Sequence, residues 1–392
     1  MTENNLDFSA ARVVLQRHVD GGWLSGVAAT VLREGRPVES FCTGLADRES
    51  GEALRPDHIH RAFSNTKLMT SVLVLLLADE GRFALDDPIT EWIPSFARLR
   101  VLRPGATAID DTEPLQRTIT IRHLLSHQAG LSHGVFDAGT FVFDAYLAAG
   151  TRRPDTTLAG LMEQLTTLPL LYQPGQGWQY SMATDVLARL VELVTGRSFG
   201  EALQSLLFER IGMVDTGFVL RKDQVPRLAA LYRGDIADPM KPGLQRLEDT
   251  PWPGAYLRPV PRQSGAGGLF TTQADMLVLL RHLLPGQPGL LRADTLAEMM
   301  RDQLPPERCV WFPQSGPIPS LGFGLGGAVT RAPSALQSNS PVGEFQWGGL
   351  AGTHWFISPA SQVAGALMTQ RFWGFWHPFW FEYKRRVYAA LG

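Results

Sequence analysis

The sequence of 392 residues has few cysteines, little net charge and no long uncharged apolar run. Its two cysteines, Cys42 and Cys309, lie far apart, which argues against a disulfide framework and against a cysteine zinc site. Charges of both signs that sum to −2 lack the signature of nucleic-acid binding, so no nucleic-acid partner is expected. The longest apolar run, residues 68–78, is too short to span a bilayer, and no membrane partner is expected.

The first residues, 1–22, are acidic at their start and have no apolar stretch of the length a signal peptide needs. Together with the scarcity of cysteine, this predicts a cytoplasmic protein. The sequence contains no repeats or low-complexity segments, and its length can bury a sizeable core in one large domain or two interlocked domains. A homo-oligomer is compatible with this composition.

The stretch RAFSNTKLMTSVLVLLLADEGR, residues 61–82, contains Ser64 and Lys67 at the start of an almost wholly apolar helix that ends at Gly81. Residues three apart share a helix face with Cβ atoms about 5–6 Å apart, so the Lys67 amine can reach the Ser64 hydroxyl. Apolar residues on every face predict a buried helix, and burial favours a neutral, proton-accepting amine. A nucleophile beside its base is one interpretation; an N-cap serine followed by a surface lysine is the other.

Two further stretches fit this pair. Tyr180, in GQGWQYS at residues 175–181, stands at the mouth of a predicted helix, where its hydroxyl could exchange a proton with the nucleophile or the leaving group. The stretch WGGL at residues 347–350 lies on a predicted strand, whose glycines would let the backbone approach a substrate closely. The main-chain N–H of Leu350, with that of Ser64, would form an oxyanion hole. The predicted substrate-binding residues are Trp347, Gly348 and Gly349.

The two ends of the chain predict an α/β (α+β) fold. A helix is expected over residues 8–19 and a hairpin over residues 27–43. Four segments between residues 322 and 369, the first of them 322–329, have the pattern of neighbouring strands in one antiparallel sheet. A last helix is expected at about residues 378–391. These elements predict an antiparallel sheet flanked by helices.

The middle of the chain is mostly helical, with residues 96–117 interpreted as a surface loop and residues 214–261 as irregular. Strands at both ends with helices between them predict one α/β domain made from the two termini. Its expected ranges are residues 1–63 and 262–392. Residues 64–261 are expected to form a mostly helical inserted domain.

Two motif-like spacings have structural explanations. Ser198 matches Gly-x-Ser-x-Gly, but a nucleophile elbow needs a strand before the serine, and here a predicted helix precedes it. Ser198 and Glu201 are therefore interpreted as a capping box. His123 and His127 are four apart, as zinc ligands on a helix can be, but no Glu follows His123 to complete the metalloprotease motif. Both are interpreted as structural, and neither a metal nor an organic cofactor is expected.

The segment FWGFWHPFWF at residues 372–381 is dense in aromatic side chains. It could line an acyl pocket, build a subunit interface or pack on the sheet, and core packing is the favoured interpretation. Membrane contact is disfavoured because the neighbouring charges form no clean basic face.

Together these motifs make the chain resemble the serine β-lactamase and penicillin-binding-protein superfamily, whose Ser-x-x-Lys motif supplies a nucleophile and its base. Within it, the chain looks most like the family VIII carboxylesterases, relatives of class C β-lactamases. The resemblance covers nearly the whole chain and implies a β-lactamase-like fold. The matching segments are 64–67 (SNTK), 119–127 (ITIRHLLSH), 180–182 (YSM), 265–269 (GAGGL) and 322–326 (GFGLG).

The resemblance implies that Ser64 is acylated, that Lys67 and Tyr180 share its activation and the protonation of the leaving group, and that water releases the acid. Two departures favour the esterase branch: Met182 replaces the Asn of the class C Tyr-x-Asn motif, and Trp347 replaces the lysine of Lys-Thr-Gly. An indole in place of a cation favours an uncharged, apolar ester. A serine carboxylesterase acting on small, short-chain esters is predicted; β-lactam, amide or D-peptide hydrolysis, acyl transfer and non-catalytic acyl-ligand binding are the alternatives.

Overall fold

The protein is described by a computed structural model that covers residues 6–235, 237–287, 289–313, 315–335 and 339–392. The α-helices are α1 (Ser9–Asp20), α2 (Thr66–Asp79), α3 (Ile121–Leu125), α4 (Phe141–Ala148), α5 (Leu158–Leu165), α6 (Ala183–Thr195), α7 (Phe199–Leu203), α8 (Glu209–Ile211), α9 (Gln273–His282), α10 (Ala293–Met300) and α11 (Pro378–Leu391). The strands are β1 (Gly26–Arg33), β2 (Arg36–Asp47), β3 (Glu52–Ala53), β4 (Ile59–Arg61), β5 (Arg100–Leu102), β6 (Thr112–Pro114), β7 (Leu231–Arg233), β8 (Gln245–Leu247), β9 (Phe270–Thr272), β10 (Val310–Phe312), β11 (Gly316–Ile318), β12 (Leu321–Phe323), β13 (Ala328–Thr330), β14 (Phe345–Gly348), β15 (His354–Ser358), β16 (Val363–Thr369) and β17 (Arg371–Phe372).

The main sheet joins the two ends of the chain. Its eight strands lie in the order β12-β13-β14-β15-β16-β1-β2-β3, and each neighbouring pair is antiparallel. Alternate residues of a strand face opposite sides of a sheet. Val363 and Leu367 of β16 pack with α1 and α11, whereas Ala364, Ala366 and Met368 belong to the larger core with α2 and α9. The predicted antiparallel sheet flanked by helices is confirmed.

Helix α2 lies within the larger core. Every residue from Thr66 to Leu77 is buried, as the apolar residues on all faces of this helix predicted. Lys67, near its start, is only 2% exposed. Lysine is rarely buried to this degree unless its amine has polar partners, so polar groups are expected around this amine.

Several short elements differ from the sequence-based expectation. The segment expected as one strand over residues 322–329 is the hairpin β12–β13, because the chain turns at Gly324, whose N–H donates to the Gly327 carbonyl at 2.7 Å. The expected loop at residues 96–117 contains the hairpin β5–β6, and the expected irregular region at 214–261 contains the paired strands β7 and β8. Strands of three residues are too short to show a period of two.

The division into an α/β domain and an inserted helical domain, with boundaries after residues 63 and 261, stays a prediction. Within the described ranges, no helix has the length and apolar character needed to cross a membrane. The cytoplasmic location also stays a prediction.

Candidate active site

Ser64 lies in a short 3₁₀ turn, Phe63–Asn65, directly before α2. Phe63 has a φ of +45°, a conformation that costs free energy for a bulky residue. The turn is closed by the Asn65 N–H, which donates to the Ala62 carbonyl at 3.1 Å. The first turn of α2 then places the Lys67 amine, Nζ, 3.4 Å from Ser64 Oγ, as the three-residue spacing predicted.

The Lys67 amine has two further neighbours from distant parts of the chain. It donates a hydrogen bond of 2.8 Å to the Ala266 carbonyl, and it lies 4.5 Å from the centroid of the Tyr180 ring. Its contacts within the described residues include no carboxylate. The amine is therefore held in place by the backbone and a ring rather than by an anion.

The loop that carries Ala266 is fixed by Asp185 of α6. The carboxylate oxygen Oδ1 of Asp185 accepts hydrogen bonds from Ser264 Oγ at 2.7 Å and from the Ala266 N–H at 3.3 Å. Sequence reasoning missed both Asp185 and the Ala266 carbonyl. The segment GAGGL at 265–269 marked the loop, but a side-chain pattern cannot show which carbonyl accepts a proton.

Tyr180 lies just before α6, is 3% exposed, and contacts the main sheet through Trp347 of β14. The indole Nε1–H of Trp347 donates to the Tyr180 hydroxyl oxygen at 3.2 Å. The two rings are 5.3 Å apart between centroids. The structure therefore brings together Ser64, Lys67, Tyr180 and Trp347, which come from three separate parts of the sequence.

Two histidines, His127, which is buried, and His133, which is half-buried, pack against Tyr180. The His127 ring centroid lies 4.9 Å from that of Tyr180, and the His133 ring stacks on Tyr180 at 5.6 Å. Burial lowers the pKa of His133 to about 3 and holds the pKa of His127 well below 6.5. Both rings are therefore neutral at neutral pH and add no charge beside Lys67.

The histidine pair that has the spacing of zinc ligands is explained by local hydrogen bonds. His123 closes a capping box with Thr120 at the start of α3. His127 Nδ1 lies 3.0 Å from Ser181 Oγ, next to Tyr180. His127 is therefore a positioning residue for the Tyr180 segment. Ser198 forms its capping box with Glu201, as the sequence predicted, and α6 rather than a strand precedes it.

Ser64 and Leu350, the two residues of the predicted oxyanion hole, meet at one small cavity. Both residues line it, together with Gly348. In the described part of the chain, neither N–H donates a hydrogen bond. Two unpaired N–H groups beside a serine hydroxyl have the composition of an oxyanion hole.

Gly349 brings the end of β14 against the segment that precedes Ser64. A Cβ atom at this position would lie 2.4 Å from the Ala62 carbonyl oxygen and 2.4 Å from Thr353 Oγ1, which no side chain can tolerate without a backbone shift. This contact is with the protein itself. A contact between Gly349 and substrate stays a prediction.

Aromatic side chains close the space around Ser64. The cavity has a volume of about 20 Å³, room for roughly one water molecule. Besides Tyr180 and Trp347, its aromatic walls are Phe136, Phe312, Phe375 and Trp376. Phe375 and Trp376 belong to the aromatic segment for which core packing was favoured; they pack against the larger core and also line this cavity. Sequence reasoning gave no signal for Phe136 or Phe312.

An antiparallel sheet with helices on both faces, and a Ser-x-x-Lys pair at the start of a buried helix, define a protein of the serine β-lactamase and penicillin-binding-protein class. The beta-lactamase family model matches residues 12–376, and the chain belongs to this family. The family resemblance seen in the sequence motifs is confirmed.

Two relatives carry esterase names. Esterase EstB of Burkholderia gladioli is 34% identical over 360 residues, which cover 88% of this chain and 86% of that protein. Lovastatin esterase of Penicillium rubens is 30% identical over 374 residues, covering 89% and 90%. The solved structure of EstCE1, described as a hydrolase with promiscuous acyltransferase activity, matches with a TM-score of 0.82 at 25% identity over 97% of both chains. The predictions of a β-lactamase-like fold and of an enzyme in this hydrolase family are confirmed.

Proposed function

We propose that this protein is a serine carboxylesterase that cleaves short-chain carboxylic esters through an acyl intermediate on Ser64. The observation that carries the proposal is the position of the Lys67 amine, 3.4 Å from Ser64 Oγ and 4.5 Å from the Tyr180 ring centroid. The esterase names of EstB and lovastatin esterase support an ester substrate. Trp347 supports an uncharged one, because by the resemblance an indole stands at the position of the lysine that faces a substrate carboxylate in class C β-lactamases.

In the proposed acylation, the neutral Lys67 amine takes the proton of Ser64 while Oγ attacks the ester carbonyl carbon. The N–H groups of Ser64 and Leu350 donate to the carbonyl oxygen as it becomes negative. The C–O bond to the alcohol then breaks, and Tyr180 gives its proton to the departing oxygen. The proton held by Lys67 replaces the one that Tyr180 has lost.

Deacylation uses the same groups in the opposite direction. Water attacks the acyl carbon and loses its proton to the Lys67 and Tyr180 pair, and Ser64 Oγ leaves with a proton from that pair. The products are the acid and the free serine. No other reactant is needed, and atoms and charges balance over the cycle.

Acyl transfer to an alcohol is a second candidate. The cavity beside Ser64 has mostly aromatic walls, which favour an apolar acceptor over bulk water. EstCE1, described as a hydrolase with promiscuous acyltransferase activity, supports the same reaction. Product analysis with an added alcohol separates the two reactions, because transfer yields a new ester and hydrolysis yields an acid.

The test of the proposed function is rapid-quench intact mass spectrometry after mixing with excess p-nitrophenyl butyrate, with release of nitrophenol followed in parallel. The wild-type protein should show turnover and a butyryl mass on the peptide that contains Ser64. Ser64→Ala should show neither. Turnover by Ser64→Ala at the wild-type rate would overturn the assignment of the nucleophile.

Ser198→Ala is the matched serine control. Ser198 is exposed and belongs to the Gly-x-Ser-x-Gly sequence that imitates a nucleophile elbow. Loss of its cap should lower the free energy of unfolding by about 1 kcal/mol and leave the butyryl adduct in place. A stable adduct in the wild-type protein without turnover would instead favour acyl transfer or acyl-ligand binding.

A further inference from the structure

A second and larger cavity, with a volume of about 220 Å³, lies next to the small cavity at Ser64. We call it the inner cavity. The two cavities share the side chains of Phe312, Trp347, Phe375 and Trp376 as walls. Ring centroids within this set are 5.5 Å apart for Trp347 and Phe375, 4.7 Å for Phe375 and Trp376, and 5.2 Å for Phe312 and Trp376. An aromatic partition therefore separates Ser64 from the inner cavity.

The inner cavity has mostly apolar walls from β10 to β13 and from α11. Apolar residues in its lining include Val310, Ile318, Leu321, Ala328, Trp380 and Phe381. His354 also lines it, is 2% exposed, and has no hydrogen-bond partner at Nε2 among the described residues. Its ring stacks on Trp380 at 4.3 Å. Apolar walls with a few buried polar atoms are typical of sites for small molecules.

Two side chains of the partition are not fully buried. Phe375 and Trp376 are only half-buried and lie in a 3₁₀ turn, Gly374–Trp376, between Trp373 and α11. Trp373 has a φ of +62°. Rotation of Phe375 or Trp376 would join the inner cavity to the space at Ser64, which by itself is too small for an ester substituent.

We propose that the inner cavity binds the apolar alcohol half of the ester, an inference that rests on the proposed function of Ser64. In that mechanism the departing oxygen lies within hydrogen-bond reach of the Tyr180 hydroxyl, which is 3.2 Å from Trp347 Nε1. The substituent on that oxygen therefore begins beside Trp347, a wall of both cavities. Leu350, where the carbonyl oxygen would bind, lines only the small cavity.

The test compares two ester series. One series keeps the butanoyl group and lengthens the alcohol from methyl to hexyl; the other keeps the methyl alcohol and lengthens the acid from butanoic to octanoic. In the wild-type protein, kcat/KM should rise roughly fourfold per methylene of the alcohol until the cavity is full, because each buried methylene adds about that factor.

Two variants, Ala328→Leu and Ser320→Phe, each add volume at a different wall of the inner cavity. Either variant should lower the ratio of kcat/KM for hexyl butyrate to that for methyl butyrate by tenfold or more. If one variant does not fold, the other still provides the test. Val329→Leu is the matched control, because Val329 is next to Ala328 on β13 and does not line the cavity. Its ratio should equal that of the wild-type protein.

The proposal is overturned if Ala328→Leu and Ser320→Phe lower kcat/KM only for the long esters of the methyl series, such as methyl octanoate. That result would place the acid in the inner cavity. The proposal is also overturned if both variants keep the wild-type ratio of kcat/KM between long and short esters in both series. The cavity would then take no part in substrate binding. Equal changes in Val329→Leu and Ala328→Leu would assign the effect to β13 in general, against the proposal.

A binding measurement separates this proposal from the proposed function. Binding of 1-hexanol to Ser64→Ala can be followed by the change in tryptophan fluorescence, because Trp347, Trp376 and Trp380 line the inner cavity. Addition of Ala328→Leu to this variant should weaken the binding about tenfold. If the wild-type protein hydrolyses no ester but this weakening is seen, the esterase proposal fails, while binding of an apolar alcohol in the inner cavity is supported. If Ala328→Leu leaves hexanol binding unchanged, the cavity proposal is wrong.

Discussion

The indole N–H of Trp347 donates a hydrogen bond of 3.2 Å to the hydroxyl oxygen of Tyr180. Because the indole nitrogen can only donate, the Tyr180 oxygen accepts this bond and keeps its own proton available for another acceptor. The Trp347 ring also lies 5.5 Å from that of Phe375, between centroids. One side chain therefore orients the proposed proton donor and forms a wall of the substrate space.

Trp347→Phe should keep a smaller aromatic wall and remove the donor to Tyr180. We expect kcat/KM for ethyl butyrate to fall roughly two- to tenfold, the loss of a hydrogen bond worth about 0.5–1.5 kcal/mol. The fall should be smaller for p-nitrophenyl butyrate, because nitrophenolate leaves with little need for a proton. Steady-state kinetics on the two esters measures this difference.

Trp355→Phe is the matched control for that change. Trp355 lies directly opposite Trp347 on β15, and its Nε1 has no hydrogen-bond partner among the described residues. It should keep the wild-type preference between the two esters. If both variants shift this preference equally, the bond to Tyr180 has no part in protonating the leaving group.

The proximity of Ser64 and Lys67 could be predicted from the sequence, because helix geometry places side chains three residues apart on the same face. The burial of α2 could be predicted because its residues are apolar on all faces. Phe312 and Phe375 could not be placed, since their positions depend on how the hairpin β10–β11 and the turn before α11 pack against Trp347. These contacts join residues far apart in the sequence, and no local pattern encodes them.

Lys67→Met should lower the acylation rate by about 10²–10⁴-fold, the range for loss of a positioned general base. Lys67→Arg should not restore it, because a guanidinium stays protonated. The burst of nitrophenol in stopped-flow experiments reports acylation directly. Lys222→Met, at an exposed lysine, is the control and should keep the burst. A full burst from Lys67→Arg would remove Lys67 from the role of base.

Gly349→Ala should impair the oxyanion site by moving Leu350. The new Cβ would lie 2.4 Å from the Ala62 carbonyl oxygen, so the end of β14 must move away from the segment before Ser64. We expect kcat to fall by about 10²-fold, as for loss of an oxyanion donor, with a smaller change in KM. Gly217→Ala is the control, since its Cβ would meet Phe270 at an ordinary 3.4 Å. Wild-type kcat in Gly349→Ala would contradict this role.

Burial lowers the pKa of several histidines below the ordinary value of 6.5. The pKa is about 3 for His60, His133 and His377 and about 4 for His123, with burial the largest cause in each. In the unfolded chain these side chains return to about 6.5. Between these values the unfolded chain binds more protons than the folded protein, so acid favours unfolding.

The free energy of unfolding should therefore be highest above pH 6.5 and decrease as the pH falls from 6.5 toward 4. Each of these histidines contributes up to about 1.4 kcal/mol per pH unit in this window. Urea unfolding followed by tryptophan fluorescence at pH 7.5, 6.0 and 5.0 measures the decrease. His60→Asn should make the free energy of unfolding depend less steeply on pH. Up to one proton fewer is taken up on unfolding, because one buried imidazole is gone. A urea midpoint that is constant or higher at pH 5.0 would show that these histidines are not kept neutral by the fold.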